Sequence, residues 1–228
     1  MSASRVVVIV SADGEWDVIH RIYPNADYRK SPYGEWFKAQ VNGEQTVFIH
    51  GGWGKVPSAA STQYAIDTWS PELIVNLGTC GGFKGEVDRF NVVLADRTVI
   101  YDIHSQMSNP EATIKRTTSR IDLDWLQDYP VKVHRGTIAS GDRDIHPGDV
   151  SMLREKYGAI VGDWESGSIA FVCRRNHVRL LILRGVSDIV STQGVEAYEG
   201  KKQIWYQAAD RIIRDLLKSL PSWIAQIF

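Results

Sequence analysis

Residues 6–10 read Val-Val-Val-Ile-Val. Five consecutive β-branched apolar residues favour a strand over a helix, and that strand has no polar face. It must be covered on both sides, which is the situation of a central strand in a mostly parallel sheet between helical layers. Shorter apolar runs repeat the signal at 46–49, 73–75, 92–94 with 98–100, 137–139 and 180–183. Helical spacing lies between several of them. Pro57 precedes Ala59, Ala60, Tyr64, Ala65 and Ile66; Asp149 stands as a cap before Leu153; and Ile169, Ala170, Val172 and Cys173 share one face. Ile204, Ala208, Ile212, Leu216 and Leu220 recur at i, i+4 and predict a final helix over 203–220, with Pro221 expected to stop it. Strands alternating with helices predict an α/β fold, in which ligands bind beyond the carboxyl ends of the strands.

The rest of the chain narrows the function classes. No repeat or linker interrupts its 228 residues, so one domain over 1–228 is expected. Lys+Arg is 26 and Asp+Glu 27, a balance that excludes a polybasic nucleic-acid binder. Two cysteines exclude a disulfide scaffold and point to a reducing, cytoplasmic setting. The first apolar run is too short for a signal segment, and no run approaches the ~18 residues of a membrane span. The six histidines show neither H-E-x-x-H nor H-x-H, so no metal and no cofactor is expected.

The segments that follow the expected strands are unusual. They read Ser-Ala-Asp-Gly-Glu-Trp (11–16), His-Gly-Gly-Trp-Gly-Lys-Val (50–56), Asn-Leu-Gly-Thr-Cys-Gly-Gly-Phe (76–83), Ser-Gly-Asp-Arg-Asp-Ile (140–145) and Arg-Gly-Val-Ser-Asp (184–188). A tight turn accounts for any one glycine cluster. Several acid-bearing or glycine-rich strand ends in one α/β chain point instead to a shared cleft. Gly162-Asp163-Trp164-Glu165 then opens a helix, with Glu165 in its first turn, where the dipole favours a carboxylate.

These segments resemble, in order, the motifs of the purine nucleoside phosphorylase and nucleosidase superfamily, most closely its 5′-methylthioadenosine/S-adenosylhomocysteine nucleosidases. Gly52-Trp53-Gly54-Lys55-Val56 is similar to G-I-G-K-V, and residues 76–82 to N-T-G-S-A-G-G. Ser140-Gly141-Asp142 matches S-G-D, residues 163–170 resemble E-M-E-A-x-A-I-A, and residues 184–188 resemble R-A-I-S-D. The resemblance spans about residues 6–190. It implies a three-layer α/β/α sandwich around a twisted, mixed, mostly parallel sheet, and cleavage of the N-glycosidic bond of a purine nucleoside, adenine being the expected base.

Such cleavage needs an acid for the departing purine and a nucleophile for an oxocarbenium-like sugar. By resemblance Asp188 is the acid, oriented by Ser187, although Ser-Asp is also a common helix cap. The resemblance likewise implies that Glu15, with Thr79 and Arg184, positions water. The first loop leaves this register ambiguous by one residue, with Trp16 the alternative at the Glu position, Asp13 the other carboxylate in reach and a solvated loop charge the plain reading. Glu165 matches the Glu that holds the ribose hydroxyls, and charge-assisted bonds to a vicinal diol suit it. Trp164 takes the place of a Met under the sugar, Gly81 lies in the glycine-rich segment, and the backbone of Ile145 reads the purine edge. Trp53 replaces a smaller Ile beside the 5′ substituent, and Asp144 replaces a stacking Phe.

A phosphate-dependent phosphorylase is the main enzymatic alternative. Its G-D-P-x-R loop is missing, and Asn76 stands where its second arginine belongs. A nucleoside-binding protein without turnover is the alternative outside enzymes. A cysteine enzyme built on Cys80 finds no histidine at a diagnostic spacing. The resemblance also implies a homodimer, with residues 103–118 as the partner's contribution or a surface loop. Trp36, Trp69, Trp125, Trp205 and Trp223 are expected in core or interface packing, while Trp16, Trp53 and Trp164 lie on candidate site segments.

Overall fold

A computed structural model describes residues 4–196 and 202–227. Its first half runs β1 (Val6–Val10), α1 (Asp13–Ile22), β2 (Arg29–Lys30), β3 (Glu35–Val41), β4 (Glu44–His50), α2 (Lys55–Trp69), β5 (Leu73–Phe83) and β6 (Val92–Ile100). The second half runs α3 (Glu111–Thr117), β7 (Ser119–Arg120), β8 (Val133–Ser140), α4 (Val150–Tyr157), β9 (Ala159–Asp163), α5 (Ser166–Asn176), β10 (Arg179–Ser191), β11 (Gly194–Val195) and α6 (Lys202–Ile224).

β1 lies parallel between β4 and β5, and all five of its side chains are fully buried, as its composition requires. Adjacent residues of β3 identify the two covering layers, because successive strand residues point to opposite faces. Trp36 meets Trp69 of α2, while Phe37 meets Trp16 of α1. The architecture is the mixed α/β sandwich that the strand–helix alternation predicts.

The sheet also closes on itself. β5 pairs with β10, β10 with β6, β6 with β8, β8 with β9, and β9 again with β5. The short antiparallel β9–β5 contact, Gly81 opposite Gly162 and Gly82 opposite Val161, completes the ring. Glycine is needed on both strands there. A Cβ on Gly162 would lie 1.8 Å from Ile145 Cδ1, and one on Gly82 2.6 Å from Val186 Cγ1.

Several expectations are corrected. The segments 76–83 and 184–188 are not loops but the continuations of β5 and β10, whose eleven ladder partners run from Leu73 with Arg179 to Phe83 with Val190. Residues 92–94 and 98–100 belong to one strand, β6, whose register shifts between Ala95 and Arg97. Residues 13–16 form the first turn of α1; Asp13-Gly14 reads locally as a turn, but Val18 and Ile19 bury an apolar side against the sheet. Pro221 does not stop α6, which continues to Ile224. Trp223 and Ile224 are fully buried, and their burial outweighs the backbone hydrogen bond that proline cannot donate. Among the described residues no helix is long and apolar enough to cross a membrane.

Candidate active site

The site is assembled by strand register. In the β5–β10 ladder Arg184 stands opposite Gly78 and Gly185 opposite Thr79. The register then shifts between Val186 and Asp188, so that Asp188 and not Ser187 faces Gly81. A one-residue shift changes which face a side chain occupies. This bulge therefore puts Asp188 on the face opposite the one an unbroken ladder would give it.

Arg184 is completely buried and engaged on several sides. Its Nη2 lies 2.9 Å from Asp163 Oδ2 and 3.4 Å from Glu165 Oε2, and donates to Asn76 Oδ1 at 2.9 Å. Its Nε donates to Ser166 Oγ at 3.1 Å. Burial works against the guanidinium charge, but Asp163, Glu165 and Glu15 together hold its pKa above the ordinary value. Asp163 is fixed from the other side by Ser140 Oγ at 2.5 Å and by the amide and hydroxyl of Ser166. The β8–β9 ladder, with Ser140 opposite Asp163, makes that contact.

Glu15 is buried at the third position of α1. Its Oε1 accepts from the Thr79 amide at 2.6 Å and the Thr79 hydroxyl at 2.8 Å, and Oε2 accepts weakly from the Ala12 amide at 3.4 Å. Burial raises its pKa, while Arg184 and the Thr79 bonds pull the other way. Glu165 is the N-cap residue of α5 and accepts from the amide of Gly54, the N-cap residue of α2, at 3.2 Å. Gly54 holds φ +92°, a conformation that glycine tolerates and other residues rarely adopt. Burial first, and then the neighbouring Asp163 and Glu15 charges, push Glu165 up to about 8 against the pull of Arg184. Asp188 is buried and raised for the same first reason, and Ser187 Oγ donates to its Oδ1 at 2.6 Å.

One guanidinium thus faces several carboxylates, and a separate buried acid sits at the end of the same strand. That arrangement can hold a water beside Glu15 and deliver a proton from Asp188.

The phosphorylase superfamily model matches residues 5–219. The chain belongs to the phosphorylase superfamily. A 5′-methylthioadenosine/S-adenosylhomocysteine nucleosidase of Tolumonas auensis is 24% identical over 229 residues, covering 95% of this chain and all of that protein. Among solved structures, the Helicobacter pylori 5′-methylthioadenosine/S-adenosylhomocysteine nucleosidase with butyl-thio-DADMe-Immucillin-A superposes with a TM-score of 0.80 at 17% identity, over 96% of this chain and 99% of its own. The futalosine hydrolase of H. pylori strain 26695 gives 0.79 at 18% identity, over 98% of each chain.

Within this phosphorylase-superfamily fold the structure brings together Glu15, Thr79, Arg184 and Glu165, with the Asp188–Gly81 pair two ladder positions beyond Thr79 and Ser187 at the bulge between. Trp53 and Trp164 meet with ring centroids 4.7 Å apart, Trp53 being 60% exposed. Ile145 is buried against Gly162, and Asp144 is exposed. Two readings are set aside. The Asp13 side chain is 90% exposed and pairs with His50, so it is not the buried carboxylate. Trp16 is a core residue stacked on His50, whereas Glu15 is the buried carboxylate bonded to Thr79.

Sequence reasoning assigned no role to Asp163, Asn76, Ser166 or Gly78, and placed Trp205 in packing. Trp205 does pack, over Gly14 and against Tyr206, and its Nε1 also donates to Thr79 Oγ1 at 3.2 Å. Asp163 and Asn76 lay inside quoted motifs, so their polar identity was a usable signal; nothing local marked Trp205.

Proposed function

We propose that this protein hydrolyses the N-glycosidic bond of an adenine nucleoside, 5′-methylthioadenosine or a relative. The buried Glu15–Thr79 clasp beside Arg184, whose Nη2 is already paired with carboxylates, carries the reading. Phosphorolysis needs cationic groups to hold a phosphate dianion. Here Arg184 is already bound by Asp163, Glu165 and Asn76, and the surrounding carboxylates leave no excess positive charge. Water asks for no such charge. It needs a carboxylate to accept a proton, and Glu15 is held for that purpose.

In this mechanism Glu165 accepts hydrogen bonds from the ribose diol, with Trp164 against the sugar. The C1′–N9 bond breaks and its electron pair leaves with the base. Asp188, kept protonatable by burial, gives its proton to purine N7. Water forms the new bond to C1′ and gives a proton to Glu15. Trp53, pressed against Trp164, borders the 5′ substituent, and Ile145 presents its backbone to the base. A cytoplasmic homodimer completes the proposal. Cys80 and Cys173 are both free, as a reducing compartment allows, and Met107, 98% exposed within the 103–118 segment, suits a partner contact.

The test is a panel of purine nucleosides with varied 5′ groups, incubated without phosphate, with free base measured. Release without phosphate is expected, greatest from adenine nucleosides. Release only on adding phosphate makes the protein a phosphorylase, and binding without release makes it a sensor.

A further inference from the structure

We propose that Trp205, in the first turn of α6, is a positioning residue that orients the water-activating carboxylate, an inference that rests on the hydrolytic reading above. Its indole N–H donates to Thr79 Oγ1 at 3.2 Å, and Thr79 Oγ1 lies 2.8 Å from Glu15 Oε1. An indole nitrogen only donates, and a threonine hydroxyl has a single proton. With Trp205 directed at the Thr79 oxygen, the hydroxyl proton points to Glu15. The chain Trp205 to Thr79 to Glu15 therefore has one polarity.

That polarity distinguishes the two oxygens of Glu15. Oε1 receives both the amide and the hydroxyl of Thr79, at 2.6 and 2.8 Å. Oε2 has only the 3.4 Å contact from the Ala12 amide. Oε2 is the oxygen left with capacity for the proton of the attacking water. Without the indole, the Thr79 hydroxyl is free to turn away and the two oxygens lose that distinction.

The indole reaches Thr79 because residue 14, one before Glu15, has no side chain. A Cβ on Gly14 would lie 2.7 Å from Trp205 Cζ3 and 2.8 Å from Tyr206 Cε1. The start of α6 is thereby seated on the turn of α1 that carries Glu15, and bonded to the strand that carries Thr79.

Trp205→Phe tests this, since it keeps the aromatic body and removes the N–H. With base release measured on the best substrate of the panel, kcat is expected to fall about tenfold, the loss of one neutral hydrogen bond at the reacting group. KM should stay within about twofold, and the acidic limb of the kcat–pH profile should move to higher pH as Glu15 loses support. In a Thr79→Val background the same substitution should cost nothing further, because the link is already cut. Unchanged kcat in Trp205→Phe, a rise in KM alone for 5′-substituted nucleosides, or additive losses in the double variant would each overturn the proposal. A wild-type protein that releases no base overturns this inference and the hydrolytic reading together, whereas full kcat in Trp205→Phe overturns this inference alone.

Discussion

Gly78→Ala is a sharp physical test of how the site is built. Gly78 lies inside β5 without a positive φ, so alanine meets no backbone objection there. In an ordinary strand the change would stabilise by about 0.5–1 kcal/mol. Here an added Cβ would lie 1.9 Å from Arg184 Nη1 and 3.1 Å from both Arg184 Cζ and Glu15 Oε1. A non-bonded contact needs about 3.5 Å, so the guanidinium must retreat by roughly 1.5 Å. It has nowhere equivalent to go, being held at 2.9 Å by both Asp163 and Asn76. Breaking a buried ion pair costs about 3–5 kcal/mol. For a domain of this size each kcal/mol moves Tm by about 2–4 °C. Scanning calorimetry should therefore show Tm falling by roughly 6–20 °C, with base release lost in parallel because Glu15 is crowded too. A Tm within about 2 °C of wild type, or above it, would falsify the claim that Gly78 exists to let Arg184 pass beneath the strand.

Two further predictions use the same carboxylates. Glu15→Gln keeps an acceptor for Thr79 but cannot take a proton. Turnover should fall by about 10²–10⁴ while calorimetric affinity for a nucleoside changes little; unaltered turnover would remove Glu15 from the reaction. Glu165, raised to about 8 in the fold from an ordinary 4.5, binds more protons folded than unfolded between those values. Stability should accordingly decline as pH rises from about 5 to 8, and Asp188 and Glu15, both raised by burial, act in the same direction. Tm measured across that range should slope downward in wild type and less steeply in Glu165→Gln. An equal or steeper slope in the variant would show that Glu165 is not the group responsible.

Much of the candidate site was legible because its proposed chemistry is carried by residue types that keep their identity wherever they sit. Asp188, Glu165 and Arg184 were readable from short motifs, and β1 from its composition alone. The misread elements share a cause. Asp13-Gly14 resembles a turn until Val18 and Ile19 are seen to need the sheet, and the glycines of 78–82 resemble a loop until β10 is laid beside them. Trp205 was beyond reach because its hydrogen-bond partner Thr79 is distant in the chain and is brought to it only by the packing of α6.

By itself, then, the sequence determined that a parallel sheet must be covered on both faces, which superfamily the chain joins, and which acids are at hand. Only the tertiary structure decided which of those acids share one arginine, and which face Asp188 takes. Both depend on register between β5 and β10, strands about a hundred residues apart, and on the single shift at Ser187. Register is a property of two segments packed together. No residue carries it locally, and a displacement of one position would have turned the same side chains to the opposite face.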